Sequence, residues 1–183
     1  MTPPLSHFSD IHSHDTSRAT DGSTIVSQRP GATIHPDGWY SVGIHPWDTS
    51  DPVTLSTLRS LCIDAQSPRV VAIGEAGIDR LRGGDLDTQL RLFRLHARLA
   101  HKLHKPLIIH CVRAYDLLLA EARRLHPQPG EWIIHGFRGN PILAAQLLRA
   151  GIDISLGEKH HPDLPGTTIP PHRLHHETDA PDK

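Results

Sequence analysis

Histidines and carboxylates recur in this chain just beyond short apolar runs, where their side chains could together hold a divalent metal ion. The first group is Asp10-Ile11-His12-Ser13-His14. Side chains alternate between the two faces of a strand, so His12 and His14 point the same way. Two imidazoles on one face form a claw suited to zinc, iron or nickel. Asp10 shares their parity and is placed to orient the pair. The chain has 16 histidines, so this spacing alone is also that of an ordinary polar strand end. Further candidates arrive in register: Glu75, His110 and His135 each close an apolar run, and Asp179 follows the last strand. Nitrogen and carboxylate donors in this mixture suit one or two divalent metals.

The elements that must position these groups alternate between apolar strands and helical patterns, the mark of parallel β/α units. Strands are expected at 8–14, 23–28, 39–44, 69–74, 106–110, 131–135, 152–156 and 173–178. Asp51-Pro52 predicts a helix start, with Leu55, Leu58, Cys62 and Ala65 as the buried stripe. Leu86, Leu90, Phe93, Ala97 and Ala100 form a second stripe, opened by Asp85 and Asp87. A third helix is expected from Ala114 to Leu125, and Asn140-Pro141 to Gly151 brackets a fourth. Eight strands with helices in four connections predict a (β/α)8 TIM-barrel-like α/β fold, although ~250 residues is typical of such barrels. Helices are reduced near the second strand. No linker or repeat divides the 183 residues, so a single domain over 1–183 is expected. Chemistry in such a barrel belongs at the C-terminal strand ends, where the candidates fall.

Composition narrows the partners. A net charge of -1 gives no bulk attraction to nucleic acid, so a polyanionic substrate needs a local site. Two cysteines make no disulfide framework, no leader pattern opens the chain, and no apolar run nears the ~18 residues of a membrane span. A cytoplasmic protein without membrane association is expected.

The stretches Asp10–His14, Ser41-Val-Gly-Ile-His-Pro46, Ala72-Ile-Gly-Glu-Ala-Gly-Ile-Asp79, Pro106-Leu-Ile-Ile-His110, His135-Gly-Phe-Arg-Gly139 and Glu177-Thr-Asp-Ala-Pro181 together resemble the TatD family of metal-dependent hydrolases. They span nearly the whole chain in the family's order. The resemblance implies two divalent metals (zinc, magnesium or manganese) bridged by Glu75. It places His12, His14 and Asp179 on one ion and His110 and His135 on the other. It also implies phosphodiester hydrolysis, as a deoxyribonuclease acting on DNA or a related substrate. Glu75 and Asp179 would carry the catalysis, with Asp179 taking the proton from the attacking water. His45, Arg113 and Arg138 are candidate substrate contacts. Arg113 stands three residues after His110, whereas the family's arginine stands two after. The family also continues with a closing helix beyond the position where this sequence stops. Expectations are therefore a truncated form or a homodimer that covers the gap, with an apolar patch on the outer side of strands one and eight. Two other functions are compatible with the residues: amide or ester hydrolysis, for example on aminoacyl-tRNA, and an inactive remnant that binds a partner.

Several residues invite a role and are read as structural. Cys111 neighbours His110 but faces the other way along the strand, so a buried core thiol is expected, and Cys62 is assigned to a helix stripe. His96, His101 and His104 are expected to face solvent. His160, His161, His172, His175 and His176 read as a solvated histidine-rich loop. Asp79 is expected to support the turn after the fourth strand.

Overall fold

The computed structural model describes residues 3–125, 130–164 and 169–181. Eight parallel strands pair in sequence order: β1 Asp10–Ser13, β2 Thr24–Gln28, β3 Tyr40–Val42, β4 Val70–Asp79, β5 Leu107–Val112, β6 Trp132–Ile134, β7 Ile152–Leu156 and β8 Leu174–His176. The first and last strands meet through the segment after β8. There His14 N donates to Ala180 O at 2.7 Å, and Asp179 N donates to His12 O at 3.1 Å. The sheet therefore curls into the expected TIM-barrel-like form. Helices α1 Leu55–Asp64, α2 Leu86–Leu103, α3 Tyr115–Arg124 and α4 Pro141–Arg149 fill the four connections from β3 to β7. Among the described residues no α-helix lies between β1 and β3 or after β7.

Packing follows the alternation of each strand. Trp132 and Ile134 of β6, Ile152 and Ile154 of β7, and Leu107 and Ile109 of β5 join α2 and α4 residues in the larger core. Phe93 of α2 meets Trp132 edge to face, with ring centroids 5.2 Å apart. Both rings are fully buried, and each such side chain is worth ~2–3 kcal/mol relative to exposure. A smaller cluster of Leu5, Phe8, Ile11, Ile25, Val71 and Ile133 packs with Trp39.

The caps account for where most helices begin. Asp85 accepts from Thr88 N at 2.8 Å and Asn140 from Leu143 N at 2.9 Å, as expected. Helix α1 differs. Its cap is Thr54, which accepts from Thr57 N at 3.1 Å, while Asp51-Pro52 trails a 3-10 turn over Pro46–Ser50. Leu61 and Ala65 carry its buried face, and Leu55 and Cys62 are exposed. Of the expected stripe, Ala65 is buried and Leu58 packs partly buried, while Leu61 takes the inward place expected of Cys62.

Strand β4 runs to Asp79, beyond the apolar run that ends at Gly74. The extension is possible because Ala76, Gly77 and Ile78 stay buried against β5. Gly77 is required there, since a Cβ would run into the His110 carbonyl. At the other end, β8 is shorter than expected, and Arg173 belongs to a 3-10 turn. The expected apolar patch on β1 and β8 is not found among the described residues. The exposed large hydrophobics are Trp47, Leu55, Ile63, Leu81 and Ile142. Strand β8 offers only Leu174 as an apolar side chain, and it packs against the core.

Candidate metal centre

Seven donor groups converge at the C-terminal mouth of the barrel. The two ladder bonds that join β1 to the segment after β8 also set Asp179 beside His12 and His14. Asp10 reinforces this seam. Its Oδ1 accepts from His12 N at 3.3 Å and Thr178 N at 3.1 Å, and its Oδ2 accepts from Thr178 Oγ1 at 2.7 Å and Arg18 Nη1 at 2.5 Å. Asp10 thus orients the histidine pair through backbone, not through the imidazoles.

Glu75 stands at the centre, almost fully buried, with its two oxygens facing different partners. Oε2 lies 3.3 Å from His12 Nε2 and 3.4 Å from His14 Nε2. Asp179 Oδ1 is 3.7 Å from each of those nitrogens. Oε1 lies 2.7 Å from His110 Nδ1, 2.7 Å from His135 Nε2 and 3.0 Å from His45 Nε2. Donors ~2.1 Å from a tetrahedral ion stand ~3.4 Å from one another, which matches the Oε2 side. Both nitrogens of His12 and Oε2 of Glu75 are buried without a hydrogen-bond partner among the described residues. Leaving such groups unpaired costs ~1–3 kcal/mol each, so the arrangement suits a cation.

On the Oε1 side the tautomers can be followed. His110 Nε2 lies 3.2 Å from Asp79 Oδ2, which makes it the N–H and leaves Nδ1 as a lone pair facing Glu75. Two acceptors 2.7 Å apart need a proton or a metal between them. His135 Nδ1 faces Glu177 Oε1 at 3.5 Å, an ion-pair separation and not a hydrogen bond. Burial by itself would lower the His135 pKa, but Glu75 and Glu177 outweigh it and hold the imidazole well above its ordinary range. Burial would raise Glu75, yet His135, His12 and His110 keep it well below the usual carboxylate range. His45 is different. Its Nδ1 accepts from Trp47 N at 3.1 Å, so Nε2 carries the proton and donates to Glu75. Burial lowers its pKa, although Glu75 works against the shift.

The remaining candidates divide. Arg138 lines a cavity of about 490 Å³ beside Asp179, together with Lys159. Arg113 is exposed, its carbonyl accepts from Arg80 Nη1 at 3.0 Å, and it does not line the cavities that reach the cluster. Asp79 supports its turn as expected, accepting from Leu81 N at 2.7 Å and Arg82 N at 3.1 Å, and it also takes the Trp47 indole N–H at 2.6 Å. Cys111 is only partly buried, packed against the core and not within it, and burial pushes its thiol up to about 12.

Four contributors were not assigned from sequence. Glu177 accepts from Gly136 N at 2.5 Å and faces His135; its parity with Asp179 was the available signal. Arg29 lines the cleft with His14, His45 and Trp47. The strand-end rule applied to β2 would have found it. Trp47, 41% exposed, stands edge-on to His45 at 4.7 Å. His96, expected in solvent, is fully buried: its Nε2 accepts from Ile44 N at 3.0 Å, and its Nδ1 bonds Leu92 O at 2.8 Å. It ties α2 to the end of β3, where His45 departs.

A parallel β/α barrel with imidazoles and carboxylates gathered at its C-terminal mouth defines the class of metal-binding barrel proteins. The profile of the TatD related DNase family matches residues 20–183. The chain belongs to that family. It is 33% identical over 168 residues to a 3'-5' ssDNA/RNA exonuclease TatD of Erwinia billingiae, covering 86% of this chain and 61% of that protein. A namesake from Erwinia tasmaniensis is 32% identical over 163 residues, covering 82% and 61%. The chain thus spans about three fifths of the length of these relatives. The crystal structure of a TatD homologue from Escherichia coli K12 superposes with a TM-score of 0.76 at 24% identity, covering 96% of this chain and 80% of that one.

Proposed function

We propose that residues 1–183 act as one divalent-metal-dependent hydrolase domain that cleaves phosphodiester bonds in nucleic acid, as a TatD-like deoxyribonuclease. The observation that carries this reading is the division of Glu75, with His12 and His14 on Oε2 and His110 and His135 on Oε1, and with Asp179 beside the first two histidines. A carboxylate so placed would bridge two ions, which the donor set suits as zinc, manganese or magnesium. Bound cations would supply a water of lowered pKa and charge neutralisation at the phosphodiester.

The chain's own groups do the rest. His12, His14, Glu75, His110, His135 and Asp179 would hold the ions. Asp179, partly open to the cavity, takes the proton from the attacking water. His45 fixes the Glu75 carboxylate by donating to it. Arg138 neutralises phosphate at the rim, and Arg29, which pairs with Asp48 at 2.8 and 3.0 Å, lines the cleft with His14 and His45. The relatives' printed name, 3'-5' ssDNA/RNA exonuclease, supports single-stranded nucleic acid as the substrate here as well.

The test is nucleotide release from single-stranded DNA with Mg2+, Mn2+ or Zn2+ by wild type and His110→Ala. Metal-dependent release by wild type, reduced at least tenfold in the variant, is expected. No release by wild type, or equal release by both, refutes the proposal. A parallel panel of amides and aminoacyl esters separates it from amide or ester hydrolysis.

A further inference from the structure

We infer a second cation site at the opposite end of the barrel, formed by Glu131, Asp153 and His175 and taking one divalent cation of the zinc type. This inference does not rest on the nuclease reading.

Alternation places the three residues in the barrel interior. Trp132, Ile134, Ile152, Ile154 and Leu174 turn outward into the helix-side core. Glu131, Asp153 and His175 alternate with them and so face the lumen. The register pairs Ile133 with Asp153 and Ser155 with His175, setting the three near the entry ends of β6, β7 and β8. The metal centre described above uses residues from the exit ends of the strands.

The geometry is that of donors spaced to share one cation. His175 Nε2 lies 3.7 Å from Glu131 Oε1 and 3.7 Å from Asp153 Oδ2. Both separations are too long for hydrogen bonds and close to the ~3.4 Å between donors on a tetrahedral ion. His175 Nε2 is buried without a hydrogen-bond partner among the described residues, which is costly for a polar atom. Asp153 is aimed: Arg173 Nε occupies its Oδ1, and Arg173 Nη1 is fixed to Leu148 O at 2.9 Å, leaving Oδ2 toward His175. Two carboxylates against one guanidinium leave a net negative charge. Glu131, with a side chain 45% exposed, gives an ion a way in from solvent. One nitrogen and two oxygens form a donor set that zinc accepts. The expectation of a solvated histidine loop thus fails for His175, which β8 turns inward, while His176 is exposed.

The rival reading is a polar cluster that binds no metal. Bound zinc per chain, counted by atomic emission after dialysis, separates them in wild type, Glu131→Gln and His175→Ala. The expected result is one equivalent fewer in each variant, with nucleotide release from single-stranded DNA unchanged in Glu131→Gln. Equal zinc content in wild type and Glu131→Gln overturns the inference. If His175→Ala does not fold, Glu131→Gln at its half-exposed position decides alone. An inactive wild type that still loses one equivalent in Glu131→Gln refutes the nuclease reading and supports this site.

Discussion

Acid should loosen the end of β3 through His96, and the size of the effect follows from its burial. The imidazole is fully buried, accepts from Ile44 N at 3.0 Å and bonds Leu92 O at 2.8 Å. Desolvation dominates and lowers its pKa to about 4 from 6.5, with the Leu92 carbonyl opposing the shift. In the unfolded chain the same imidazole binds its proton near pH 6.5. Between those values the unfolded state holds more protons, so stability rises with pH and is lost on acidification. At ~1.4 kcal/mol per unit, the full window is worth about 3 kcal/mol. That is a large part of the ~5–15 kcal/mol typical of a folded domain. The assay is urea unfolding of metal-free wild type and His96→Gln from about pH 7 to about pH 4.5. Gln can still accept from Ile44 N but does not titrate, so the difference between the two proteins isolates His96. Wild type should be the more stable near neutrality and lose about 2 kcal/mol relative to the variant by pH 4.5. Parallel pH curves would refute the reasoning.

Three further outcomes can be checked. Glu177→Gln removes the charge behind His135 Nδ1 while keeping an acceptor for Gly136 N. Metal affinity, read as the metal concentration for half-maximal nucleotide release, should weaken by ~10–100-fold with activity recovered at high metal; an unchanged metal profile would remove Glu177 from the centre. Metal binding should release protons near neutral pH, because the raised pKa of His135 keeps it protonated in the metal-free protein. Calorimetry of zinc binding in buffers of different ionisation enthalpy counts them, and zero release contradicts the assignment. The same raised pKa, with Glu75 depressed, stabilises the metal-free protein between the two pKa values. That contribution is lost as pH rises through the His135 value or falls through that of Glu75. Finally, Cys62 is exposed and Cys111 is held at a pKa of about 12, so a disulfide reagent should modify one thiol per native chain. Modification of two would show that β5 opens readily.

Much of the architecture was legible because barrels repeat a local grammar. Apolar runs of Pro106–Ile109 and Glu131–Ile134 type announce strands, and Asp85 and Asn140 announce helix starts through their own hydrogen bonds. The expectation failed for half of the α1 stripe, since Leu58 and Ala65 pack inward while Leu55 and Cys62 face out and Leu61 is buried instead; only the strand surface beneath the helix chooses. It failed for His96 for the same reason. An imidazole flanked by arginines on a helix looks solvent-facing until α2 docks and Ile44 N needs an acceptor.

The sequence by itself determined which residues could be donors and that His12 with His14, His135 and Asp179 sit at strand ends, because alternation and strand length are local properties of the chain. It could not say how the donors share Glu75, that His45 spends its proton on that carboxylate, or that Asp79 and Glu177 stand behind His110 and His135. Nor could it bring Glu131, Asp153 and His175 to one point. These relations join residues on different strands, and their distances exist only once the sheet has curled until β1 meets the segment after β8. Barrel closure converts a series of separate strand ends into one site, and the register of that closure decides which oxygen faces which imidazole.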